Sequence, residues 1–325
     1  MGMAAHDHAP RVIAEAAYEV AFLAVMDSLA CAFKALQDPA CTRLLGALVP
    51  GATMAFGARV PGTSYQLDPV QAAFNIGTTV SWLQANDPAL TTVAGDLSDN
   101  LGAILAVADY RARKAIAEGG RPPTVRDLCG ALIHAHEFAS LEWARSVHVH
   151  EGLSTTEGIP RIASAAARCA LTRSASAASA ASLLCGTRDQ VAAAVLIART
   201  ETDATWHPGT ALNLDGHEHW RIGDATSRGL RLALIALATQ VALPSPAPPS
   251  DEAAGQLAVM AELDQTWRAV TATPEVANRI RDQFAACVAA HFPTVQAGKI
   301  AAMFADRARL EALPVNELVS ITVRN

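Results

Sequence analysis

Bulky residues are scarce in this chain. Phenylalanine, tryptophan and tyrosine supply 5% of its 325 residues, and charged residues supply only 17%. Hydrophobic residues make up 51%, with alanine prominent among them, so small side chains have to fill the interior. That favours helices packed backbone close to backbone and argues against long disordered tracts. Lysine and arginine never gather into a basic run, and the net charge is −6, so nucleic acid is not an expected partner. The six cysteines (Cys31, Cys41, Cys129, Cys169, Cys185 and Cys287) form no CxxC pair. They read as reduced, mostly buried thiols of a cytoplasmic protein. The opening MGMAAHDHAPRV has no basic stretch leading into an apolar one, so no secretory signal is expected. No apolar run is read as reaching the roughly 20 residues of a membrane span, and no membrane partner is expected.

Motif absences narrow the chemistry further. No GxGxxG follows a strand, and neither a Walker A loop nor a GxSxG elbow is present. Nucleotide and serine-hydrolase chemistry are therefore not expected, and no cofactor is implied. HExxH is missing too: His136-Glu137 lacks the second histidine, and His134 and His136 on one helix point in different directions. No metal site is expected.

What is present is helical periodicity. RVIAEAAYEVAFLAVMDSLACAFKALQ reads as a core helix ended by Asp38-Pro39. A Gly- and Pro-rich ordered loop follows. Further helices are predicted over 70–83, 101–117, 124–147 with Thr124 as cap, 187–200 and 224–243. The stretch 163–184 is nearly all small residues and predicts a helix, or a helix pair, packed at close range. PSPAPPSDE is a Pro-rich linker, three more helical stretches follow it, and the terminal LVSITVRN reads as a strand. The class is all-α.

Two polar loops, 86–100 and 202–224, run into apolar helices. The simplest role for Ser98-Asp99-Asn100, and for Asp224-Ala225-Thr226-Ser227, is helix capping. The alternative is the wall of a ligand site. Histidines cluster near the second loop at His207, His217 and His219.

Several strings together carry a resemblance: DSLACAFKAL, PACTRLLGALVPG, GARVPGTSYQLDPVQAAFNIGT, SDNLGAILAVADY, GDATSRGLRLAL and AHFPTVQAGKIAAMFADRARLEALPVNELVSI. From about Ala16 to Ile321 the chain resembles the MmgE/PrpD family. The resemblance implies a large helical domain that dimerises, a smaller α+β lid, and lyase or isomerase chemistry on small carboxylic acids. One branch removes water from the tricarboxylate methylcitrate. Such chemistry needs a base for a proton beside a carboxylate, an acid for the leaving group, and cations for the carboxylates.

Against that pattern, most of the lid is missing. The expected layout is a helical domain over 1–243, a Pro-rich linker and helix over 244–272 in the lid's place, and returning helices over 273–325. The family's motif positions are also changed. Where it reads Asp-x-x-Asp-Thr and then His-Pro-Ser, this chain has Gln84-Ala85-Asn86-Asp87-Pro88 and then Asp96-Leu97-Ser98. A second family histidine falls among Ser154-Thr155-Thr156-Glu157, and a family lysine falls near Glu218. Asp87 survives. An exposed, ionised Asp96 would repel a tricarboxylate, and Glu218 repeats the change of sign.

The expectation is a lid-less lyase, isomerase or cyclase working by acid/base chemistry on another small molecule in a specialised biosynthetic pathway. Asp87, Asp96, His217 and His219 would handle protons, and Gln84, His207, Glu218 and Arg161 would contact substrate. The alternatives are a non-catalytic dimeric scaffold or partner subunit, and a residual methylcitrate dehydratase.

Overall fold

The computed structural model describes residues 13–92, 94–151, 162, 164–203, 219–239, 263, 265, 267–268 and 273–324. Among them the architecture is helical, as composition and periodicity predict, with two short antiparallel hairpins. Most of the segment 244–272 lies outside the described residues.

The first helix, α1 (Glu15–Ala35), has an acid in its first turn and Lys34 in its last, which suits the helix dipole. Sixteen of its 21 residues are buried, as an all-round apolar helix requires. This corrects the expectation drawn from apolar runs. By length and mean hydropathy (1.5) α1 could cross a membrane, yet 83% of that window is buried inside the protein.

Asp38-Pro39 ends α1 and opens α2 (Pro39–Thr42), the Asp38 carboxylate accepting from the Ala40 N–H at 2.8 Å. The same Asp-Pro device opens α3 (Pro69–Ser81), where Asp68 accepts from the Val70 and Gln71 N–H groups. Between them β1 (Ala58–Arg59) pairs with β2 (Gln66–Leu67). Then come α4 (Leu101–Ala117), α5 (Val125–Glu151), α6 (Ala165–Leu183), α7 (Arg188–Asp203) and α8 (Arg221–Ala238). Thr124 caps α5 as expected, in a reciprocal arrangement with Asp127. The small-residue stretch forms the single helix α6, capped by Ser164.

Helix α8 packs along both α3 and α6, and α3 also packs along α4. Glycine permits this closeness. A methyl on Gly102 of α4 would come within 2.6 Å of the Ala73 carbonyl, and one on Gly77 of α3 within 2.9 Å of the Gly223 Cα of α8. Thr226 sits in the same junction. Its hydroxyl accepts from the Ala103 N–H at 3.0 Å and bonds Ser176 at 2.9 Å, and Ser176 in turn donates to Asn100. The expectation that 224–227 caps a helix is therefore corrected. Helix α8 begins three residues earlier, and Thr226 is a fully buried tie between helices.

The chain returns through α9 (Pro274–His291), α10 (Thr294–Ala305), α11 (Arg307–Ala312) and α12 (Val315–Thr322). Helix α9 packs on α1, where Phe33 meets Phe284, His291 and Phe292. The strand expected at LVSITVRN is helix α12, with Val315, Leu318, Val319 and Thr322 buried on one face. Tertiary packing on α4 and α5 overrides the β-branched local preference. Arg59 fastens this end. It grips buried Asp109 on α4 through backbone and side chain and reaches Ser320 and the Asn316 carbonyl.

Candidate functional site

The segment 86–100 is more ordered than a loop. Asp87 caps a 3-10 turn at Pro88–Leu90, accepting from the Ala89 N–H at 3.0 Å. Thr91–Thr92 then pairs with Gly95–Asp96 as a minimal hairpin, and a second 3-10 turn, Leu97–Asn100, leads into α4. Gly95 has φ +118°, and a Cβ there would lie 2.8 Å from the Asp99 carboxylate, so the turn needs glycine on both counts.

Arg168, from the first turn of α6, organises this hairpin. Its Nε donates to Asp99 Oδ2 at 2.7 Å and its Nη2 to Asp96 Oδ2 at 2.5 Å, with a further bond to Asp99 Oδ1. The other Asp96 oxygen accepts from the Thr91 hydroxyl, and the Asp96 N–H points to Asp99 Oδ2 at 3.4 Å. Asp99 is 5% exposed. Burial pushes its carboxyl up while the Arg168 charge pulls it down, and the two carboxylates hold Arg168 firmly protonated. The expectation of an exposed Asp96 is thereby corrected. Its side chain is 15% exposed and fully engaged. The capping role expected for Ser98-Asp99-Asn100 is kept by Asp99 alone, which accepts from the Asp96 N–H at the head of the 3-10 turn and is also an ion-pair partner; Asn100 makes no side-chain cap on α4 and accepts from Ser176 instead.

Asp87 and Asp96 belong to one polar neighbourhood, since both of their charges act on Asp27 of α1. Asp27 is 1% exposed. One of its oxygens accepts from Asn86 Nδ2 (2.9 Å) and the Asp87 N–H (3.1 Å), and the other has no hydrogen-bond partner among the described residues. Burial pushes the Asp27 carboxyl up, the two donors pull it down, and the charges of Asp87 and Asp96 push it further up. Asp87 is gripped by Arg279 of α9 in a two-pronged contact at 2.7 and 2.9 Å. Burial alone would raise its carboxyl, but Arg279 and the Ala89 N–H outweigh that and hold it below the ordinary range.

His134 and His136 do point apart. His134 is exposed and lies 3.3 Å from Glu137, while His136 is 2% exposed with its Nε2 2.6 Å from the Thr92 hydroxyl. Burial lowers His136 to about 4, against the pull of Asp96, so the ring is neutral near pH 7.

The other predicted site residues scatter. Gln84 is exposed at the end of α3, with φ +46° and its N–H on the Ser81 carbonyl. His219 lies against Trp82, ring centroids 5.2 Å apart, with its Nδ1 buried and without a hydrogen-bond partner among the described residues. Trp82 in turn donates to Asp38 at 2.8 Å. His207, His217, Glu218 and Arg161 lie outside the described residues. Among the described residues no cluster of three or more His, Cys, Asp or Glu side chains could hold a metal.

Sequence reasoning missed Asp27, Arg168 and Arg279. Two of them carry a signal. Asp27 is the one charge between Glu19 and Lys34 in an apolar helix, and Arg168 interrupts a run of small residues. Such isolated charges need partners. Arg279 carries no comparable signal.

An all-helical domain with a charged hairpin at the head of α4 is the class this geometry defines. The chain belongs to the MmgE/PrpD family, whose N-terminal domain matches residues 2–269. Among its curated relatives is the 2-methylcitrate dehydratase of Cupriavidus necator, 42% identical over 229 residues (70% of this chain, 45% of the relative). The enzyme of the same name from Salmonella typhimurium is 39% identical over 234 residues, covering 72% and 46%. The mitochondrial one of Yarrowia lipolytica is 35% identical over 241 residues, covering 74% and 44%. The chain thus spans under half the length of these relatives.

Proposed function

We propose that this chain is a lyase- or isomerase-type member of its family acting on a small molecule that carries less negative charge than methylcitrate. The observation behind the reading is the sharing of Arg168 by Asp96 and Asp99. Three carboxylates (Asp87, Asp96, Asp99) are served by two guanidiniums (Arg168, Arg279), so the hairpin carries an excess of negative charge even before Asp27 is considered. A tricarboxylate placed there would meet repulsion with both of those cations already engaged. The reading takes the working unit to be a homodimer formed through the helical domain, in the cytoplasm, with no cofactor. Light scattering of the purified protein checks the dimer.

The test is a thermal-shift and product screen of the wild-type protein with methylcitrate, aconitate and a panel of neutral and cationic metabolites. Concentration-dependent stabilisation by a compound with fewer carboxylates supports the reading. Turnover of methylcitrate would place the activity with the relatives' name and end the charge argument. One observation favours a second reading, a non-catalytic scaffold or partner subunit: Asp87 and Asp96 are each pinned by an arginine. Intact folding and dimerisation with no response to any compound would favour it.

A further inference from the structure

Arg168 is built like a receptor for a carboxylate, and the chain supplies that carboxylate itself. Asp99 fixes the guanidinium from one side through Nε and Nη2, which sets its plane and direction. The same Nη2 then meets the Asp96 carboxylate at 2.5 Å, on the less buried side of the pair. Thr91 holds the other Asp96 oxygen, so the acid cannot swing away without losing a hydrogen bond. An arginine oriented by one buried acid and presented to a second carboxyl is how proteins bind carboxylate ligands. The Arg168 side chain is 30% exposed, so the pair lies near the surface and not in the deep core.

We infer that Asp96 is a specificity-determining residue: its carboxylate fills, from within the chain, an anion subsite on Arg168 that a ligand carboxyl would otherwise occupy. The inference rests on the reading above and sharpens it, because the molecule bound at this hairpin would then carry one carboxylate fewer than an Arg168-bound acid would bring. Removing the internal carboxylate opens the subsite. The Asp99–Arg168 pair that remains is neutral, so the repulsion toward an incoming anion falls as well.

The probe is citrate, with glycerol as an uncharged control, read by thermal shift and calorimetry. Asp96→Ala removes both the charge and the bulk of the carboxylate, Asp96→Asn removes the charge alone, and Asp96→Glu keeps the charge. Asp96→Ala is expected to bind citrate at least tenfold more tightly than wild type or Asp96→Glu, with Asp96→Asn between them and glycerol inert on all four. Thr91→Val leaves both acids in place but frees Asp96 to move, and should give a smaller gain of the same sign. Equal citrate affinity for wild type and Asp96→Ala, both with native helicity by circular dichroism, overturns the inference. So does a citrate response in Asp96→Ala that survives the further change Arg168→Gln undiminished. Neither result touches the broader reading, which stands or falls on the wild-type screen.

Discussion

Two junctions of this molecule are held by opposite means. Where α3, α4, α6 and α8 meet, the contacts are glycine on backbone and one hydroxyl shared between helices. At the hairpin before α4, three to seven residues away along the chain, the contacts are charge on charge. The first junction depends on the absence of atoms, so nearly any substitution there collides with something. The second depends on matched charges, so residues there can be exchanged as long as partners change with them. A scaffold built in the first way can keep its shape while a site built in the second way is rewritten.

The sharpest way to break that contrast is to remove the shared cation. Arg168→Gln leaves Asp96 and Asp99 facing each other without an opposing charge, and it should cost about 4 kcal/mol in urea unfolding. Adding Asp99→Asn should return a large part of that loss. If the single change is nearly neutral, the hairpin is not held by charge.

Acid attacks the same region by another route. His136 is lowered to about 4 from an ordinary 6.5, so the folded protein holds it neutral where the unfolded chain would protonate. Its contribution is fully present above about pH 6.5 and is lost as pH falls toward 4. The difference corresponds to about 3 kcal/mol. Unfolding of wild type and His136→Gln at pH 7 and pH 4 should show that loss in the wild type alone.

On the steric side, Gly102→Ala should cost about 2 kcal/mol, because overpacking outweighs the gain in helix propensity. Its melting temperature should shift equally at every pH, unlike the two changes above. The smallest effect is expected at Asp27. Burial raises its folded value, so the native state keeps a proton that the unfolded chain has released. Stability from this group is present at low pH and lost as pH rises through the folded value, the reverse of a salt-bridged aspartate. The stability gap between wild type and Asp27→Asn should therefore shift in favour of the variant as pH rises above the ordinary aspartate range. A gap independent of pH would mean Asp27 is ionised in the fold.

The helices were legible because their apolar spacing is long and regular; α4 spans the residues the pattern marks, Leu101–Ala117. The last helix was not, because LVSITVRN is short and β-branched, and what makes it helical is the surface of α4 and α5 beneath it. The site was only half legible. Asp87 and Asp96 could be singled out from the changed motif, but their partners lie 192 and 72 residues further along the chain. No local pattern reports such pairings. For the same reason Asp96 reads as exposed when it is in fact mostly buried and paired with Arg168.

The burial of α1 has a consequence for how the protein is made. This helix is apolar on nearly all sides, yet its cover includes α9, which is synthesised some 240 residues later. At 5–20 residues per second, one flank of a membrane-like helix stays uncovered for about 10 to 50 seconds. Contacts so distant in sequence also make closure of the fold slow. During that interval the nascent chain offers a surface that chaperones, other copies of itself or a bilayer can take, so yield in cells should depend on how quickly the C-terminal helices arrive.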